Sequence, residues 1–188
     1  SGYTERTERL FSDMTANGHA QEETADEGDH DAASLFPGKL SGPPLEIMVD
    51  TANHRLALVR GDLIVRNYEV GLGGSRTPIG EFTISEKVKH PNGTAAGDYG
   101  SRGMTLSDTL YAIHGTNDPE SIGRDDSLGC IRMLNDDVEE LFAMVPLGTK
   151  VTVASGVLPA DLLHGEERFS LPEMGDETND EKVYRWLH

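Results

Sequence analysis

The chain has 188 residues, a net charge of −17, and only 36% hydrophobic and 6% aromatic residues. Its length fits one domain with a sizeable core, and an acid excess without clustered Lys or Arg opposes binding to nucleic acid or to an anionic membrane. No apolar run approaches the ~20 residues of a spanning helix, and a single cysteine, Cys130, excludes a disulfide framework, a CxxC redox pair and a Cys-rich zinc site.

The charge is spread unevenly. Residues 1–44 hold nine acids and three bases, and residues 159–188 hold eight and three, so both ends read as acidic tails around a more balanced centre. Thr15 to Asp31 shows no apolar periodicity and cannot repay its ordering entropy by burial. A flexible tail and linker is therefore expected over 1–44, with Leu35-Phe36-Pro37 and Ser41-Gly42-Pro43-Pro44 leading into a domain over 45–158. Nothing at the start has the layout of a signal peptide. The chain opens on Ser1-Gly2, which leaves an export signal or anchor ahead of it an open question.

From Leu45 the pattern becomes strand-like. Leu45, Ile47 and Val49 alternate, a turn at 50–53 follows, Leu56 and Leu58 resume the pattern, and Gly61-Asp62 leads into a third strand over Leu63–Val70. This predicts a meander of antiparallel hairpins. Gly71, Gly73 and Gly74 come next, but no helix follows them as a phosphate loop would require, so the cluster reads as a mobile turn. Glu81–Ile84 reads as a strand, residues 87–109 as a long loop rich in Gly, Pro and Asn, and Leu110–Ile113 as a short buried strand delivering His114 at its end. Asn135 is placed to cap a helix whose buried face is Val138, Leu141, Phe142 and Val145. Lys150–Val153 closes the domain. Beyond Pro159 the chain is acidic again, and only Val183 to Leu187, with the lone Trp186, could dock.

A free cysteine is commonly a small core residue, so its neighbours decide what Cys130 does. A thiol attacks as its thiolate, which near neutral pH needs an imidazole or another positive group within hydrogen-bond reach. His114 at a strand end is such a partner. Gly129 would let a substrate approach the backbone, the amides around Cys130 could face a developing oxyanion, and Arg132 offers a planar fork to a carboxylate. The alternative is a buried thiol, a core histidine bonded to a carbonyl, and a surface arginine. The remaining histidines, at 19, 30, 54, 90, 164 and 188, show no metal-binding spacing, so neither a metal nor another cofactor is expected.

Ile113-His114-Gly115-Thr116-Asn117, Ser121-Ile122-Gly123-Arg124 and Ser127-x-Gly129-Cys130-Ile131-Arg132-Met133 together resemble the L,D-transpeptidase catalytic domain of the YkuD-like family. Thr77-Pro78-x-Gly80-x-Phe82 upstream and Val145-Pro146-x-Gly148-Thr149 downstream match it too, over roughly residues 45–153. The resemblance implies a mainly β fold, a β-sandwich with one short helix after the cysteine and flexible acidic tails. It also implies that such enzymes cleave the bond after the third residue of a peptidoglycan tetrapeptide, release D-alanine, and pass the acyl group to an amine of another stem. Carried over by position, Cys130 is the nucleophile, His114 the base and the Gly115 carbonyl the group that orients the imidazole, while Ser127, Gly129, Arg132 and Thr116 line the substrate site. Carbapenem β-lactams are the implied inhibitors and the cell envelope the implied location. Leu128 stands where the family commonly has histidine. The rivals are an L,D-carboxypeptidase, with water as acceptor, and a silenced wall-binding module motivated by Leu128. A thiol redox sensor would want a resolving cysteine that the sequence lacks.

Overall fold

The computed structural model of the chain describes residues 42–162, 167–178 and 181–188, so the expected flexible tail over Thr15–Asp31 lies outside the described residues. Strands β1 (Leu45–Asp50), β2 (Arg55–Arg60) and β3 (Leu63–Glu69) form the predicted antiparallel meander. Five more strands follow: β4 (Gly80–Lys89), β5 (Arg102–Leu106), β6 (Ala112–His114), β7 (Ile131–Arg132) and β8 (Lys150–Ala154), with helix α1 (Asn135–Met144) before the last. The fold is mainly β with one short α-helix among the described residues, as expected.

The eight strands form one curled mixed sheet in the order β3-β2-β1-β8-β4-β5-β6-β7. The joint is β4, whose first half (80–83) pairs with β8 and whose second half pairs with β5, with a register shift between Ile84 and Glu86. Gly71, just past β3, exchanges two 2.8 Å backbone hydrogen bonds with Arg132 in β7. This bridge brings the two ends of the strand order together and holds the curl.

The stretch 87–109 is not one loop. Residues 87–89 belong to β4 and pair with 102–104 of β5, which leaves a shorter connection over 90–101. The strand was hidden because Gly103 contributes no side chain and the alternation around it is short, with only Met104 and Leu106 apolar between Arg102, Thr105 and Ser107. Pairing with β4 and β6 on its two sides supplies what so short a pattern leaves undecided.

Inside the curl, Ile47, Val49, Leu56, Leu58, Val65 and Met104 pack against the predicted helix face of Val138, Leu141 and Phe142. One buried ionic network crosses this core. The Glu140 carboxylate accepts 2.6 Å hydrogen bonds from Arg66 Nε and the Tyr68 hydroxyl, and its other oxygen accepts the Phe169 N–H at 2.9 Å. On the outer face Ala57, Val59 and Ile64 are covered by Leu158 and Leu162, which is why β2 is buried on both sides. Asn135 does not cap α1. Leu134 holds the cap position, and the Asn135 side-chain oxygen instead accepts the Ser101 N–H at 3.1 Å.

The acidic extension docks far more than its composition implies. Phe169 and Leu171 pack on the core. The Lys87 ammonium, itself buried, donates to the Val145 carbonyl at 2.7 Å and to Asp176 at 2.9 Å, while Lys89 pairs with Glu173 and Glu177. A basic strip on β4 therefore receives the acids that composition alone assigned to solvent.

Candidate active site

The site is built where β6 and β7 run parallel, with Ile113 opposite Ile131 and His114 opposite Arg132. One step back in this register Ala112 lies beside Cys130, and its N–H points at the Cys130 sulfur at 3.3 Å. Side chains two residues apart on a strand share a face and stand about 7 Å apart along it. His114 therefore projects from the same face as Ala112 and the neighbouring thiol. The local sequence permits this because Gly115 and Gly100 leave room for the Asn135 side chain, which a Cβ at either position would strike.

Both His114 and Cys130 have no solvent exposure. His114 Nδ1 is 2.5 Å from the Gly115 carbonyl. A carbonyl only accepts, so Nδ1 carries the proton and Nε2 is left as a bare acceptor. Among the described residues Nε2 has no hydrogen-bond partner. Burial dominates the titration of both groups. It lowers His114 to about 4 against the Gly115 hydrogen bond, and it raises Cys130 to about 12 against the Ala112 amide and the Arg132 charge. At neutral pH this arrangement holds a protonated thiol beside a neutral imidazole.

Ser127 is fully buried and clamps the turn that carries the thiol. Its hydroxyl donates to the Cys130 carbonyl at 2.7 Å and accepts the Gly129 N–H at 3.1 Å. Gly129 has φ +140°, and a Cβ there would collide with the Tyr111 ring and lie 2.8 Å from the Arg76 carbonyl. Glycine is thus required here by packing beneath the turn. Arg132 is partly buried, with Nη2 3.1 Å from the His188 carbonyl oxygen. Thr116 lies apart from the sulfur in its bonding: its hydroxyl accepts the Asp118 N–H at 3.0 Å and shapes a turn.

Several site-forming residues escaped the sequence reading. In the glycine cluster after β3, Gly71 and Gly73 form a buried floor, while the half-buried Gly74 opens a short 3-10 turn over Gly74–Arg76. A Cβ on Gly73 would lie 2.7 Å from the Ser127 carbonyl, and Leu72 is hydrogen-bonded to both Arg124 and Ser127. Arg76 locks the same loop through the carbonyls of Ser127 (3.0 Å) and Asp125 (2.9 Å). Tyr99 meets the His114 ring edge-on at 5.1 Å, and Trp186 lies over that ring, nearly parallel, at 5.8 Å. The one available signal was a tryptophan inside an otherwise polar segment.

Comparison with known proteins agrees with this geometry. The family model for the YkuD L,D-transpeptidase catalytic domain matches residues 44–153. A Bacillus licheniformis protein named "Putative L,D-transpeptidase YkuD" is 41% identical over 112 residues, covering 58% of this chain and 66% of that protein. Its Bacillus subtilis namesake is 40% identical with the same coverage, so the chain spans just under two thirds of the length of these relatives. Among solved structures, the catalytic domain of the Enterococcus faecium L,D-transpeptidase superposes with a TM-score of 0.51 at 25% identity, covering 61% of this chain and 99% of that domain. A Mycobacterium tuberculosis L,D-transpeptidase shares the fold, with a TM-score of 0.53 at 16% identity, covering 61% of this chain and 59% of its own. With the family match spanning more than half of its length, the chain belongs to the YkuD family of L,D-transpeptidase catalytic domains, a family of peptidoglycan cross-linking cysteine enzymes.

Proposed function

We propose that this chain is an L,D-transpeptidase of the cell envelope, with residues 45–158 as its catalytic unit and peptidoglycan stem peptides as its substrates. The observation that carries the reading is the His114 imidazole: Nδ1–H is held by Gly115, and Nε2 is a bare acceptor on the sheet face of the Cys130 sulfur. In the first half-reaction Nε2 takes the thiol proton and the sulfur attacks the carbonyl carbon of the third stem residue. The resulting oxyanion faces the Cys130 amide. Collapse breaks the C–N bond, and His114 returns the proton to the departing D-alanine amine. In the second half-reaction an amine from another stem attacks the thioester, His114 takes its proton, and the sulfur leaves to regain it. Arg132 is the group assigned to a substrate carboxylate, with Ser127 and Gly129 shaping the thiol turn and Thr116 at the rim.

The test is turnover of a tetrapeptide substrate together with mass spectrometry after exposure to a carbapenem. Cys130→Ala and His114→Ala should each abolish turnover with the thermal transition retained, and the wild type should gain one adduct on Cys130. Near-wild-type turnover in either folded variant would overturn the assigned pair.

A further inference from the structure

The final seven residues, 182–188, lie across the thiol and close it. Backbone pairing holds the segment from both sides. The Leu187 N–H donates to the Leu110 carbonyl at 2.9 Å, the Leu187 carbonyl accepts the Cys130 N–H at 2.9 Å, and the His188 carbonyl accepts the Leu128 N–H at 3.3 Å and Arg132 Nη2 at 3.1 Å. The Cys130 amide and the Arg132 guanidinium are the two groups that the proposed reaction assigns to an oxyanion and to a substrate carboxylate. Both are engaged by carbonyls of this segment.

Side chains complete the cover. Trp186 is buried over His114, and it fits because residue 103 is glycine: a Cβ there would strike the indole ring, with Cζ3 at 2.8 Å. The Tyr99 hydroxyl donates to the Trp186 carbonyl at 3.0 Å. Tyr184 is tied at both backbone atoms to the Asn92 side chain, at 2.9 and 3.1 Å. His188 reaches Asp98 at 3.1 Å. Upstream, residues 169–178 are fastened independently by Glu140, Lys87 and Lys89, so the cover can lift while its anchor stays in place.

We propose that residues 182–188 are a peptide ligand supplied in cis, bound in the groove as an extended substrate would be, and that stem peptides reach Cys130 only when this segment is displaced. The proposal rests on the reading of Cys130 as the nucleophile. A peptide substrate has the backbone groups to replace each backbone bond that the segment makes, and it competes for the same amide and guanidinium. Displacement also admits water to a thiol and an imidazole whose titration is dominated by burial, moving both towards their ordinary values and making proton transfer between them easier.

The test uses the full chain as wild type, Trp186→Ala and Asn92→Gly. Glycine at 92 keeps the positive φ of 60° and removes both ties to Tyr184. The first readout is the rate of Cys130 alkylation by iodoacetamide without substrate; the second is acylation by a carbapenem. Reactivity scales with the uncovered fraction, so Trp186→Ala should be alkylated at least about tenfold faster than wild type. Asn92→Gly should shift the same way, and acylation should accelerate in parallel. Wild-type alkylation rates in both folded variants would overturn the proposal. Faster alkylation with no acyl adduct in any form would instead support the cover and overturn the transpeptidase reading.

Discussion

Replacing Gly129 by alanine should injure both the fold and the thiol turn, for reasons that can be separated. The residue sits at φ +140°, a conformation glycine adopts freely and other residues at a cost of about 1–3 kcal/mol. Its missing Cβ would also collide with the Tyr111 ring and lie 2.8 Å from the Arg76 carbonyl, overpacking that costs about 1–3 kcal/mol more. A total of about 4 kcal/mol, the middle of the summed ranges, corresponds to a fall in Tm of roughly 8–16 °C for a chain of this size. Gly148 is the control. Its φ is +84° with nothing within 4 Å of a built Cβ, so Gly148→Ala carries only the conformational cost, about 1 kcal/mol and roughly 2–4 °C. Calorimetry gives the two Tm values, and carbapenem acylation reports whether Cys130 has moved with its turn. If Gly129→Ala matches Gly148→Ala in Tm and acylates at the wild-type rate, Gly129 is not wedged against Tyr111 and Arg76.

Glu140→Ala should cost about 3 kcal/mol or more in urea unfolding, because it removes a buried carboxylate bonded to Arg66, Tyr68 and the Phe169 amide; a loss under about 1 kcal/mol would contradict the network. His114 makes stability depend on pH. It stays neutral in the fold down to about 4, while the unfolded chain binds its proton below about 6.5, so its contribution is complete above that value and is lost as pH falls from 6.5 to 4. That loss is at most about 3 kcal/mol, and unfolding free energies at several pH values should show a shallower dependence in His114→Ala. Asp50 acts at lower pH. Burial opposes its ionisation, but bonds from Leu158, Asn53 and Gly156 outweigh it and hold its pKa down, so its contribution fades only below about pH 4. Leu128 is half-exposed and contacts the covering segment through its backbone N–H, so Leu128→His should change tetrapeptide turnover by no more than about tenfold. A larger gain would mean that the native residue silences the site.

The meander, the helix after the cysteine and the short strand that ends at His114 were legible in the residues because each is written locally. Alternation at Leu45, Ile47 and Val49, a 3.6-residue period at Val138, Leu141 and Phe142, and a histidine at a strand end need no distant partner to be recognised. Other features depend on what lies across space. β5 is a strand because β4 and β6 pair with Gly103 and Met104, and Gly103 is glycine because Trp186, 83 positions later, rests on it. Asn135 matched a helix cap locally but bonds Ser101 instead, and the glycines at 71 and 73 lie buried under a loop that begins some 50 residues on. The extension marks the boundary most clearly. Its acids predict solvation until Lys87 and Lys89 are placed opposite them, and Trp186 gains a role only when the curled sheet brings His114, Tyr99 and Cys130 to one face. Burial and charge pairing depend on neighbours distant in sequence, and only the folded chain brings those neighbours together.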